Sequence, residues 1–329
     1  MTLAADVQLA LGSFRLAAKF SAPADGITVL FGPSGSGKSS LLSLLAGLSR
    51  PDHGHIRLGG HRLDGVPAHR RGIGLVFQDA RLFPHLSVRE NIAYAWKRAP
   101  QQKRPAIEAV AKFFDIATQL ERPVANLSGG EKSRVALARA VAAAPDFLLL
   151  DEPFAALDGP RRRAFIQVLA QMHRSYRLPM LVVTHDIDDA AALASHLVAL
   201  KDGQVVAEGA FAEASRMAQF QALLDGRDTG VAVPAAALRS THDNMGGARL
   251  LWLRADQVLL AAEEPRAISA RNVLAGKVGA VTAESPDSRL VEVMTDVGLV
   301  LSRVTPQAAQ ELALAPGKKA WALVKAHAI

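Results

Sequence analysis

The sequence predicts an α/β chain that carries a small all-β domain toward its C-terminal end. Three observations predict it. Gly26–Phe31 reads as a short buried strand that runs through a glycine-rich turn into an apolar helix. Phe147–Leu150 and Met180–Val183 are continuous apolar runs of the kind found in buried parallel strands, with a helical stretch, Gly159–Tyr176, between them. From about residue 249 the pattern changes to short strands punctuated by Gly276, Gly279, Gly298 and Gly317.

Composition bounds what such a chain can be. Its 329 residues suffice for two or three domains, and a hydrophobic content of 50% excludes a disordered chain. There is no run of about 18 uncharged apolar residues to span a bilayer. The segment Met1–Asp6 lacks the basic and apolar regions of a signal peptide, so the chain is expected to stay in the cytosol. The absence of cysteine excludes disulfides, thiol catalysis and cysteine-based zinc sites. The net charge is +7, but its clusters, such as His69-Arg70-Arg71 and Arg161-Arg162-Arg163, are short and scattered. With no nucleic-acid motif beside them they read as solvated faces, and no nucleic-acid partner is expected.

The first 60 residues alternate strands and turns around Gly32-Pro33-Ser34-Gly35-Ser36-Gly37-Lys38-Ser39, which fits the spacing G-x-x-x-x-G-K-[ST] of a phosphate-binding loop. Its glycines let successive N–H groups point into one cavity. Lys38 supplies a cation for β- and γ-phosphates, and Ser39 a hydroxyl for Mg²⁺. Ser40 and the apolar residues after it continue as a helix whose positive end faces the phosphates. Residues 85–145 are richer in helical signals: Ser87 with Glu90, and Ser128 with Glu131, both have capping-box spacing. The apolar run ending in Asp151-Glu152 delivers two carboxylates to the carboxyl edge of a sheet, Asp151 toward a Mg²⁺ shell and Glu152 toward an attacking water. A pair of acids there also suits helix capping. Leu127-Ser128-Gly129-Gly130-Glu131 makes a second anion-reading helix start, which suggests that each nucleotide is sandwiched between two copies of the chain.

Over its first 210 or so residues the sequence resembles the ATP-binding subunits of ABC transporters, whose signature is Leu-Ser-Gly-Gly-Gln/Glu. The resemblance implies a P-loop NTPase fold with a helical subdomain, at about 85–145 within an ATP-binding domain of 1–228. It implies an ATP site of Gly32, Pro33, Ser34, Gly35, Ser36, Gly37, Lys38, Ser39 and Ser40, and a Mg²⁺ shell of Ser39, Gln78 and Asp151. Glu152, His185 and Gln78 become the catalytic set, and Ser128, Gly129, Gly130 and Glu131 face the partner's ATP. Asp158, in Ala155-Ala156-Leu157-Asp158, lies on the loop at the dimer interface. Lys132-Ser133 departs from the usual residues after the signature. Phe14 is the nearest aromatic upstream of the loop, with shorter spacing than in sugar importers, and reads as a strand residue.

Residues 77–94 are similar to importers of the molybdate group, where Leu82, Phe83 and Pro84 would form an apolar notch for a helix of a membrane subunit. Ser269–Val278 and Trp321–Ala326 resemble the first and last strands of a molybdate-binding Mop (TOBE-type) β-domain, assigned to 265–329 after a linker or degenerate β segment at 229–264. Ser269, Arg271 and Lys277 offer the hydroxyl and cations that a tetrahedral dianion needs, though they equally suit the rim of a dimerisation module. The resemblance thus implies a homodimeric ATPase on the cytoplasmic face of the inner membrane, with ATP and Mg²⁺ as cofactors. Permease subunits and, through them, a periplasmic solute-binding protein are its expected partners. A sulfate or sugar importer, or a soluble ABC ATPase, is the alternative.

Overall fold

The computed structural model describes residues 1–155, 157–224, 226–239 and 250–326. They form two compact units, the first of Met1–Asp186 and Ala194–Glu208, the second of Ile187–Leu193 and Gly209 onward.

The first unit is built on a mixed sheet. Its strands are β1 (Leu3–Leu11), β2 (Phe14–Ala22), β3 (Ile27–Phe31), β4 (His53–Leu58), β5 (His61–Arg62), β6 (Ile73–Val76), β7 (Phe147–Asp151), β8 (Met180–Thr184), β9 (His196–Lys201) and β10 (Gln204–Ala210). Across the sheet they run β5-β4-β1-β2-β10-β9-β3-β8-β7-β6. β1 and β2 form a hairpin in which Leu3 opposes Ala22 and Leu11 opposes Phe14; Leu3, Ala5 and Val7 alternate into the core. β3, β7 and β8 instead bury consecutive residues, as strands covered on both faces must.

The helices are α1 (Lys38–Ala46), α2 (Val88–Trp96), α3 (Ile107–Phe113), α4 (Gly129–Ala142) and α5 (Gly159–Tyr176). α1 seats Leu41, Leu42, Leu44 and Leu45 against Phe147, Leu149, Leu181 and Val183. Its C-terminal carbonyls are met by buried Arg71, which donates to Leu44 O (2.8 Å) and Leu45 O (3.0 Å). α2, α3 and α4 pack on one another within the predicted helical stretch of 85–145. Both predicted capping boxes form: Ser87 N donates to Glu90 Oε2 at 2.8 Å, and Ser128 N to Glu131 Oε2 at 2.7 Å.

The second unit contains α6 (Ile187–Leu193), β11 (Gly230–Pro234), β12 (Leu250–Arg254), β13 (Val258–Ala261), β14 (Asn272–Ser285), β15 (Ser288–Thr295), β16 (Gly298–Val304) and β17 (Lys319–Val324). β11 and β12 pair antiparallel, and the other strands order as β13-β17-β14-β15-β16. Register shifts in β14 between Val278 and Val281 bend the sheet into a half-barrel, and the Ser302 hydroxyl of β16 donates to Val258 O of β13 at 2.6 Å. Of the residues named from the sequence, Ala156 lies outside the described residues.

The stretch expected as a linker or degenerate β segment, 229–264, holds β11, β12 and β13 among its described residues. Val231, Val233, Leu251, Leu253 and Val258 from that stretch bury in one core with Leu274, Val300 and Val324. Likewise the units divide near residues 208 and 209, ahead of the expected boundary at 228. Burial decides this: β11 and β12 are too short to form a core alone, so their apolar faces close against the half-barrel.

Candidate active site

Strand register assembles the site. β3, β8, β7 and β6 lie side by side and parallel, with Phe31 opposite Thr184, Asp151 opposite Val183 and Val76 opposite Leu150. Their carboxyl ends therefore stop almost level along one edge of the sheet. The chain leaves that edge at Gly32, His185, Glu152 and Gln78, which brings four distant stretches of sequence to one crevice.

Gly32, Pro33, Ser34, Gly35 and Ser36 curl before α1. Gly35 (φ 80°) and Gly37 (φ 101°) sit in the left-handed region, and Gly37 is the N-cap of α1. A Cβ on Gly37 would also stand 2.9 Å from the Phe14 ring. Phe14 is thus half-buried beneath the loop and against the core, in accord with its reading as a strand residue. No side chain caps α1 and no acid occupies its first turn, so its leading N–H groups remain available to an anion.

The Lys38 ammonium is buried and donates to Gly32 O and Pro33 O, each at 2.7 Å. Burial pulls its pKa down, while Glu152 and Asp151 hold it up. Ser36 Oγ is buried with no protein partner among the described residues. Ser39 and Ser40 follow on the first turn of α1, and the Ser39 hydroxyl donates to the Asp151 carboxylate.

Burial raises the Asp151 pKa, and the neighbouring Glu152 charge raises it further. Glu152 adopts φ 43°, an uncommon conformation for a residue with a Cβ, and its Oε1 lies 3.2 Å from His185 Nδ1. The next residue, Asp186, is fixed by Arg162 Nη1 at 2.6 Å and by its own N–H on Thr184 Oγ1 at 3.1 Å. Gln78 is exposed just beyond β6, ahead of Ala80 and Arg81, whose φ values are 60° and 41°.

Ser128, Gly129, Gly130 and Glu131 open α4. Ser128 caps the helix and Glu131 returns the bond, which holds the Glu131 carboxyl below the usual range. A Cβ on Gly129 would meet nothing within 4 Å, so nothing in this chain requires a glycine there. Asp158 is the N-cap of α5, its carboxylate accepting from Arg161 N at 3.0 Å.

The structure also brings forward residues that motif reading passed over. Asn91 is wholly buried; Phe83 N donates to its Oδ1 at 2.9 Å, and its amide donates to Phe83 O (3.2 Å) and Ser87 O (2.9 Å). It thereby fixes Phe83, the middle residue of Leu82-Phe83-Pro84. The Phe83 ring stands 4.5 Å from Tyr94 and under the Arg139 guanidinium. These rings and Arg98, stacked on Tyr94 at 3.7 Å, line an open groove of about 730 Å³. The signal for Asn91 was present: an amide one helical turn after a capping serine, on the buried face of α2.

In the second unit, Ser269 and Arg271 are exposed ahead of β14, and Lys277 is exposed within it, opposite Lys319. Arg271 and Lys277 share a face but stand six residues apart, roughly 20 Å along a strand.

The ABC transporter family matches residues 17–155 and the TOBE domain family residues 268–329. Among curated relatives, the molybdenum import ATP-binding protein ModC of Rhizobium etli is 37% identical, covering 100% of this chain and 99% of its own. The ModC protein of Granulibacter bethesdensis is 38% identical over 92% of each chain. Among solved structures, a dimeric ATP-binding cassette in a post-hydrolysis state with ADP and phosphate superposes with a TM-score of 0.56 at 26% identity, covering 64% of this chain and 98% of that one. A bacterial Atm1-family exporter with ATP bound gives 0.56 at 26% identity, covering 65% and 39%.

Proposed function

This chain belongs to the ABC transporter family, and from that premise we propose that it is the ATP-hydrolysing subunit of a molybdate importer. The observation that carries the reading is the level sheet edge at which the phosphate loop, Asp151, Glu152, His185 and Gln78 converge. The cargo follows the relatives, which are named for molybdenum import and match nine-tenths or more of the chain.

ATP would lay its β- and γ-phosphates in the loop from Gly32 to Ser40. There Lys38 exchanges two carbonyl partners for phosphate oxygens, and Ser36 Oγ gains an acceptor. Ser39, Asp151 and Gln78 suit Mg²⁺ because they are hard oxygen donors, and because two carboxylates, Asp151 and Glu152, stand side by side there. When bound, that ion would neutralise charge on the β- and γ-phosphates.

Glu152 orients water and accepts its proton, while His185, held against Glu152, meets the γ-phosphate. Ser128, Gly129 and Gly130 receive the γ-phosphate of a second copy, a role supported by the open space at Gly129. Asp158, at the start of α5, lines the loop facing that copy.

Two copies closing on two nucleotides would pull permease subunits through helices docked in the groove beside Phe83. No helix among the described residues is long and apolar enough to cross a membrane. The importer reading makes the chain a peripheral subunit on the cytoplasmic face of the inner membrane. A periplasmic solute-binding protein would deliver the anion, and the TOBE-matched domain is a further candidate to bind molybdate.

The test is ATPase activity of the chain reconstituted with its membrane partner and binding protein. Molybdate is expected to stimulate turnover, and sulfate and maltose are not. Stimulation by sulfate or a sugar alone would reassign the cargo, and absence of ATPase activity would refute the enzyme.

A further inference from the structure

A carboxylate, Glu131, stands in the first turn of α4, the helix whose start is proposed to receive a second copy's γ-phosphate. Its charge suits the helix dipole but repels a phosphate brought to the same end. Both of its oxygens are engaged. Oε2 accepts from Ser128 N at 2.7 Å, which closes the capping box. Oε1 accepts from Gln119 Nε2 at 3.1 Å and lies 3.9 Å from Arg122 Nη1. Another cation close to it, Arg134, places its Nη1 on Asp115 Oδ2 at 2.9 Å. All of these residues belong to the first unit. The segment that carries Gln119 and Arg122 is itself fixed. Gln119 N donates to Ile116 O at 3.1 Å and Arg122 N to Gln119 O at 2.9 Å. Leu120 O and Arg122 O accept from Arg89 N (2.8 Å) and Val88 N (3.0 Å) at the start of α2, and Leu120 and Val124 are buried. Arg122 Nη2 donates to Asn126 O at 3.0 Å, so its side chain is already ordered where it meets Glu131.

We propose that Gln119 and Arg122 are positioning residues for the open end of α4. They keep the Glu131 carboxylate in the cap and offset its charge, so that the N–H groups at Ser128, Gly129 and Gly130 meet a phosphate with no bare anion beside them. The proposal rests on the reading of that end as the one that receives a second copy's ATP. The two side chains act differently. Gln119 fixes where the carboxylate points, through a directional N–H···O bond, whereas Arg122 at 3.9 Å acts by its charge. Without Gln119 the carboxylate is free to swing toward the helix N–H groups that a phosphate needs. A glutamine in place of Glu131 would close the same capping box without a charge, so the need for Arg122 would vanish with that exchange.

The test uses the full-length chain, with Gln119→Glu and Arg122→Ala each made alone and together with Glu131→Gln. Amide hydrogen exchange across residues 128–131 is read without nucleotide, ATP affinity on the monomer, and kcat in steady state. Gln119→Glu sets two carboxylates against each other. It is expected to raise exchange at 128–131 and to lower kcat about tenfold, with ATP affinity within about twofold of the parent. Adding Glu131→Gln puts an amide opposite the new carboxylate, and is expected to restore protection and most of the lost kcat. Arg122→Ala is expected to lower kcat about threefold at low ionic strength and less at high, because salt screens the exposed charge. In the Glu131→Gln background the same substitution is expected to cause no further loss. A parental kcat in Gln119→Glu, no recovery on adding Glu131→Gln, or an equal Arg122→Ala loss in both backgrounds would each overturn the proposal. If Gln119→Glu does not fold, the Arg122→Ala comparison between backgrounds decides alone. Hydrolysis that survives in Ser128→Arg, or a parent chain that hydrolyses no ATP, would instead overturn the functional reading, and exchange would still decide whether Gln119 holds Glu131.

Discussion

Lys38 is held by the carbonyls of its own loop, and that arrangement is what a phosphate would displace. Removing the ammonium leaves a buried cradle without its cation. Lys38→Ala is therefore expected to weaken ATP binding at least tenfold, a loss of about 1.4 kcal/mol or more, read by nucleotide titration. Affinity equal to the parent would refute the phosphate-loop assignment. Glu152 differs because it touches no part of that cradle among the described hydrogen bonds; its partner is His185 at 3.2 Å. Glu152→Gln keeps size and loses the proton acceptor, so ATP binding is expected to persist while kcat falls about a hundredfold or more. Dimers trapped with ATP should then accumulate in size-exclusion chromatography. Steady-state turnover near the parent rate would remove Glu152 from the role of base.

At the scale of the element, the start of α4 does two jobs with one set of residues. Ser128 and Glu131 satisfy the helix end reciprocally, and the glycines between them leave the end open. Ser128→Ala is expected to cost about 1 kcal/mol of stability through the lost cap. Ser128→Arg is expected to leave ATP binding to the monomer intact and to abolish hydrolysis, because the added side chain fills the face that meets the second copy. Failure of that monomer to bind ATP would contradict the sandwich. α2 offers a parallel case. Asn91 satisfies both backbone groups of Phe83, so Asn91→Ala is expected to cost about 1–3 kcal/mol and to loosen the groove while nucleotide affinity holds. Chemical denaturation measures the first effect, and co-purification with the permease the second.

At the scale of the whole molecule, the division into units differs from the one that motif boundaries suggest. A fragment of residues 265–329 omits β11, β12 and β13, whose Val231, Val233, Leu251, Leu253 and Val258 fill the core shared with β14 and β16. It is expected to show no cooperative thermal transition by circular dichroism, and a folded fragment would contradict the shared core. Oxyanion binding must therefore be measured on the full chain. Calorimetry with molybdate is expected to give heat that sulfate does not match, with Arg271→Ala and Lys277→Ala as the variants that lower it.

Much of the chemistry was legible before any fold. A phosphate loop, an acidic strand end and a signature at a helix start are local patterns whose spacing follows from backbone geometry, so Lys38, Asp151, Glu152 and Ser128 stand out as candidates in the sequence alone. So were both capping boxes and the buried strands β3, β7 and β8, since periodicity and caps act over a few residues. What joined Gln78, Glu152 and His185 was parallel register among strands separated by up to a hundred residues, which no local pattern encodes. Tertiary structure alone revealed Asn91 beneath Phe83 and Gln119 against Glu131, because a polar side chain's partner depends on which other stretch of chain it meets. It alone also drew Val231, Val233, Leu251 and Leu253 into the C-terminal core and set the pairing of β14 with β17. Burial and strand direction decide both, and each is a property of the assembled sheet.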